Sequence, residues 1–203
     1  MLKNKTYMWF VSLALAFIFC LIYLACSAQK EAKAVSDGVL RFHIVANSDS
    51  EEDQSLKLKV RDGIAELTSR LFADVENKEE AISVAKDHKQ EIAAAATEVL
   101  RANGCDDGVT VEIKNLYFPT KRYENVFFPA GNYDAIHITL GEGKGQNFWC
   151  VMFPALCVPS VSTENDRLLA DVLEEGEVEL VTHPYTLKFK TAEWLGKLKH
   201  LFE

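Results

Sequence analysis

Gly141, Gly143 and Gly145 alternate around Lys144 in the stretch GEGKGQNFWCVMFPALC, which also carries Cys150 and Cys157. Glycines beside a lysine are the material of a phosphate cradle, because backbone amides and an ammonium group together hold an anion. The spacing here argues against one. A Walker loop closes on Gly-Lys-Ser/Thr, whereas Lys144 is followed by Gly145 and no hydroxyl. A dinucleotide fingerprint runs from a strand into a helix, and this stretch runs between two strand-like segments. The glycines are expected to serve a tight turn with positive φ.

The cysteines and histidines open two other chemistries. Of five cysteines, Cys20 and Cys26 lie within residues 1–28, the N-terminal signal-like segment, leaving Cys105, Cys150 and Cys157. In an oxidising compartment Cys150 and Cys157 either pair as a disulfide or sit as buried hydrophobes beside Phe148, Trp149 and Phe153. No CxxC and no neighbouring histidine completes a zinc set, so neither metal nor cofactor is expected. The five histidines, His43, His88, His137, His183 and His200, are dispersed. His43 and His137 fall in alternating segments opposite the large aliphatics and could be neighbours, with Asp49 or Glu142 available to complete a hydrolytic or metal-binding set. There is no G-x-S-x-G elbow, and thirty acidic residues make any carboxylate pair easy to propose. No catalytic residue is assigned.

A fourth feature is charge. Asp49, Glu51, Glu52 and Asp53 in SDSEEDQ exceed what a helix N-terminus requires, since one hydroxyl or carboxylate satisfies its first free amides. Dipole complementarity and solubility explain acids at such a place. The functional reading is a polar knob presented to a basic partner surface, with Glu142 and Lys144 of the glycine turn as further candidate partner-binding residues.

The elements that position these residues can be read from periodicity. Leu40, Phe42 and Ile44 alternate with Arg41 and His43 as a strand, and Ser48 with Glu51 or Ser50 with Asp53 has capping-box spacing. Leu56, Val60, Ile64, Leu67 and Leu71 mark one face of a helix ending near Phe72. A second helix is expected from Asn77 to a stop at Gly104, burying Ile82, Ala85, Ile92, Ala96, Val99 and Leu100. The period then becomes two in GVTVEIKNLYF, YDAIHITL and FWCVMF, with FPTKRYENVFFPAG a long connection or irregular edge. These elements predict a single α+β domain, two long helices packed on one face of a mainly antiparallel sheet.

Residues 1–28 read as an export signal: Lys3 and Lys5, an uncharged apolar run from Met8 to Ala25, then small Ala25, Ser27 and Ala28. The run reaches the length of a spanning helix, so an uncleaved anchor formed by residues 8–25 is the rival to cleavage near Ser27 or Ala28, and lipidation at Cys26 is a third reading. Residues 29–38 form a polar leader, 39–160 the α+β domain, and 161–203 an acidic segment followed by a basic amphipathic segment for a membrane surface, a partner or the domain itself. Removing residues 1–28 takes away two lysines and no acid, so a net charge of −8 becomes about −10, and nucleic acid is not expected as a ligand.

LRFHIVANSDSEEDQSLKLKVRD (40–62), YFPTKRYENVFFPAGNYDAIHITLGEGKGQNFWCVMFPALC (117–157) and the export signal together resemble the stage II sporulation protein R family of endospore-forming bacteria, over about residues 38–160. The resemblance implies a signalling protein, not an enzyme, secreted from the forespore into the space between the septal membranes. There it would activate a mother-cell membrane protease, stage II sporulation protein GA, which matures pro-sigma E. It carries no active site to transfer. The alternative is a secreted hydrolase acting on the cell wall.

Overall fold

The computed structural model describes residues 2–123, 126–154, 169, 172–182 and 187–202. Its elements are α1 (Leu2–Gly38), β1 (Leu40–Val45), α2 (Glu51–Leu71), α3 (Lys78–Asp87), α4 (Lys89–Ala102), β2 (Val109–Phe118), β3 (Lys121–Tyr123), β4 (Val126–Phe128), β5 (Gly131–Leu140), β6 (Asn147–Phe153), α5 (Glu175–Thr182) and α6 (Leu187–Phe202). The architecture is α+β in one body. Four strands lie in the order β2-β5-β1-β6, with β1 parallel to β5 and the two outer pairings antiparallel.

The alternation of β1 divides its side chains between two cores. Leu40, Phe42 and Ile44 join Ile136, Ile138 and Met152 on one face, under Leu56, Val60 and Ile64 of α2 and Ala81, Ala85, Ile92, Ala96 and Leu100 of α3 and α4. This is the expected helical layer with one change. The second helix is broken at His88, which caps the end of α3 and the start of α4 without a glycine or proline. Gly104 ends α4 as expected, at φ +76°.

The opposite face is also covered, a layer the sequence reading did not anticipate. Val35 near the end of α1 and Val39 just beyond it pack with Phe118, Phe128, Tyr133, Val151, Leu180 and Val181. Residues 29–38, expected as a polar leader, are therefore helical, with Val35 fully buried. FPTKRYENVFFPAG, expected as a connection or irregular edge, forms the small β3–β4 hairpin and adds Val126 and Phe128 to this core. With a layer on each face, all six residues of β1 are buried.

Contacts from α3 and α6 fix the second layer. Lys78 of α3 donates to the Ser36 carbonyl at 2.8 Å and pairs with Asp134 of β5 at 2.7 Å, joining three elements through one buried ammonium. In α6, Gly196 lies so close to the Ala130 carbonyl that no side chain fits between them, and His200 stacks on Tyr117 at 3.8 Å. The amphipathic C-terminal segment thus packs on α1 and β5 of its own domain, leaving Trp194 and Leu201 exposed.

Candidate functional site

At the C-terminal end of β1 the chain must leave a buried strand and enter α2, and Asn47 organises the exit. Its Oδ1 accepts the Glu142 amide at 2.9 Å, while its carbonyl accepts the Lys144 amide at 3.1 Å. The Gly145 amide donates to the Ala46 carbonyl at 2.9 Å. Gly141 and Gly143 have φ of +55° and +62°, and a Cβ on Gly141 or Gly145 would collide with the Asn47 side chain or the Ser48 carbonyl. These glycines serve positive φ and close approach. The amides of Glu142, Lys144 and Gly145 are spent on the chain itself, so the turn is no phosphate cradle.

The acidic stretch divides into a brace and an exposed set. Ser50 caps α2, its Oγ accepting the Asp53 amide at 3.1 Å. The Asp53 carboxylate does not complete a capping box. It accepts the Ser48 hydroxyl at 2.5 Å and the Asn47 amide at 3.1 Å, and the first of these bonds chiefly holds its pKa below the usual carboxylate range. Gln54 donates to the Ser48 carbonyl at 2.8 Å. Lys57, with 5% of its surface exposed, donates to the Gln146 carbonyl at 3.0 Å; burial pushes its pKa down, opposed by Asp49. Asp49, Glu51, Glu52 and Glu142 remain exposed, and Lys144 pairs with Glu142 at 2.7 Å. The structure thus brings both candidate sets, about ninety residues apart in the chain, to one end of the sheet.

The histidines do meet. His43 and His137 are register partners on β1 and β5, their Nδ1 atoms 2.9 Å apart. His43 Nε2 lies 2.8 Å from Asn147 Oδ1, and His137 Nε2 lies 3.1 Å from the Thr139 hydroxyl. With Asn147 Oδ1 as acceptor, His43 carries its proton on Nε2. Its Nδ1 then accepts from His137 Nδ1–H, and His137 Nε2 accepts from Thr139. Trp149 stacks on His43 at 3.8 Å. Burial pushes His43 down to about 4, opposed by the Asn147 bond and aided by His137 and Lys114. His137 is also lowered, by burial and then Lys114, against Glu112. The hydrogen-bond partners are Asn147 and Thr139, not Asp49 or Glu142. Among the described residues no group of three His, Cys, Asp or Glu side chains is placed to hold a metal ion.

Two further residues shape this second face, and the sequence reading gave neither a role there. Arg41 is completely buried, its Cζ 4.4 Å from the Phe118 ring centre, 4.9 Å from Phe128, 5.0 Å from Tyr133 and 5.5 Å from Tyr123. Its Nε donates to the Cys150 carbonyl at 2.9 Å and one terminal nitrogen to the Tyr123 hydroxyl at 2.7 Å, while Nη1 has no hydrogen-bond partner among the described residues. Asn147 is the other, the acceptor that sets the His43 tautomer. Neither has a local sequence signal, because each is defined by segments far apart in the chain. The free thiols among the described residues are Cys20, Cys26 and Cys105. Cys150 is buried and not among them, and Cys157 lies outside the described residues.

Comparison with known proteins agrees with the two sequence blocks. A family model described as stage II sporulation protein R matches residues 36–163. The chain is 40% identical over 192 residues to the stage II sporulation protein R of Bacillus subtilis (strain 168), covering 84% of this chain and 86% of the relative. No solved structure matches.

Proposed function

The chain belongs to the stage II sporulation protein R family, and from that premise we propose that it is an exported signal that activates a membrane protease. In this reading it leaves the forespore for the space between the septal membranes and engages stage II sporulation protein GA, which then matures pro-sigma E. The family resemblance supplies the pathway. Support from this chain comes from its apolar N-terminal helix and from polar residues that maintain the fold: Asp53 braces a loop, Arg41 lies among rings, and the paired histidines bond to Asn147 and Thr139.

One observation carries the choice of contact surface. Asp49, Glu51, Glu52 and Glu142 are exposed together on a framework cross-braced through Asn47, so a basic partner would meet acids already held in position. Changing Glu51 and Glu52 to glutamine keeps the Ser50 cap and the Asp53 brace, so the domain should fold normally. At native abundance the double variant should process pro-sigma E poorly and recover on overproduction, as a weakened binding equilibrium does. Normal processing at low abundance would return both residues to solvation of the helix end.

A further inference from the structure

The N-terminal helix holds two kinds of surface in one continuous element. From Tyr7 its apolar side chains stand in the open, and Trp9, Leu13, Phe17, Phe19 and Tyr23 are all more than half exposed. The segment has a mean hydropathy of 2.5 over its most apolar window, with none of that window buried, so it is not a core helix. Burial then begins on one side. Leu24 and Ala25 are half-buried, Ala28 is fully buried, Ala32 is half-buried, and Val35 and Val39 are fully buried. Steps of three and four place these residues on one stripe facing the domain.

That stripe crosses the place where an export signal would be cut. Ala25, Ser27 and Ala28, the small residues of the cleavage signature, here lie within α1. Ala28 is a packing residue, and Ser27 donates to Glu31 at 3.3 Å one turn on. No glycine or proline interrupts the chain before Gly38. The apolar run from Met8 to Ala25 is also longer than the 7–15 residues of a cleaved signal's apolar region, and at 1.5 Å per residue it spans roughly 27 Å. Tyr7 and Trp9 stand at one end and Tyr23 at the other, the positions of interfacial aromatics in a membrane helix.

We infer that α1 is retained as a membrane anchor and that the occupant of its exposed apolar surface is the lipid bilayer. Leu24–Ala28 then continue without a break into the stalk that closes the second core. The signal is a membrane-tethered ligand and not a diffusible one. This rests on the export reading above but not on protease activation.

The test uses the full chain with a C-terminal epitope tag in sporulating cells. The expected result is a tagged chain that keeps its N-terminal peptide by mass spectrometry, stays in the membrane through alkaline carbonate extraction, and loses its tag to protease added outside spheroplasts. A tagged chain beginning near residue 28 in the soluble extracytoplasmic fraction would overturn retention and leave export intact. A full-length chain that carbonate extracts would overturn the anchor. A membrane-bound chain whose tag resists external protease would overturn export itself, and with it the proposed presentation of the domain.

Discussion

Asn47 accepts the amide of Glu142 through a side chain that also occupies the space a Cβ on Gly141 would need, so the exit of β1 and the turn between β5 and β6 form one unit. A chain separation of more than ninety residues is closed by a single asparagine.

Replacing Gly141 with alanine therefore meets both a left-handed φ of +55° and the Asn47 side chain. The expected cost is about 1–3 kcal/mol, read as a lower urea midpoint with an unchanged slope. Asn47→Ala should also destabilise. The double variant should be less unstable than the sum of the two by at least about 0.5 kcal/mol, because removing the side chain relieves part of the collision. Strict additivity would mean that the two residues do not share this space.

The histidine chain sets a pH dependence of defined sign. His43 is held neutral in the fold, its pKa lowered from 6.5 to about 4, so its contribution is present above pH 6.5 and is lost as pH falls from there towards 4. The loss is of the order of 3 kcal/mol. A second proton would also set Nδ1–H against Nδ1–H between His43 and His137. Urea denaturation at intervals between pH 7.5 and 4 should show this slope, and His43→Phe should flatten it. An equal slope in that variant would assign the dependence to other groups.

Arg41 keeps a cation among four rings with one terminal nitrogen unbonded among the described residues. Burial of a charge is costly, and guanidinium tolerates it because it is weakly hydrated and stacks on ring faces. Arg41→Lys preserves the charge but loses the stacking and the fork, and should destabilise by about 2–4 kcal/mol. Arg41→Met removes the buried charge and should cost less than the lysine variant. The reverse order in thermal denaturation would show that the charge itself is needed.

For the cysteines, peptide mapping without reduction should yield a linked peptide joining Cys150 and Cys157. Burial pushes the Cys105 thiol up, so it should alkylate more slowly than an exposed cysteine. Alkylation of both Cys150 and Cys157 in native exported protein would remove the disulfide.

What the sequence disclosed follows the reach of each signal. The stripe of α2, the stop at Gly104 and the glycine turn are local patterns, and each appears where its residues indicate. The meeting of His43 with His137 was legible from strand alternation, but the parallel register that aligns them and the Asn147 acceptor required the assembled sheet. The break at His88 carries neither glycine nor proline to announce it. The second core was hidden more deeply. It is assembled from the end of α1, the β3–β4 hairpin, α5 and the outward faces of β2, β5 and β6, each supplying only a few apolar residues. The capping pattern was read correctly at Ser50 and misread at Asp53, because a carboxylate of that spacing can serve a neighbouring loop as readily as its own helix end.

An α1 that runs from the bilayer into the core without a hinge turns reach into a fixed dimension. From Ala25 to Gly38 the helix rises about 20 Å, and the domain is fastened along that length, from buried Ala28 through Val35 to Lys78 at the Ser36 carbonyl. Such a ligand cannot extend to meet a distant receptor as one on a flexible linker does. If the proposed signalling reading holds, its encounter would depend on how far apart the two opposed membranes stand, and the width of the gap would become a gauge: the signal would be received only where the septum had brought its two faces within reach of a domain held along α1.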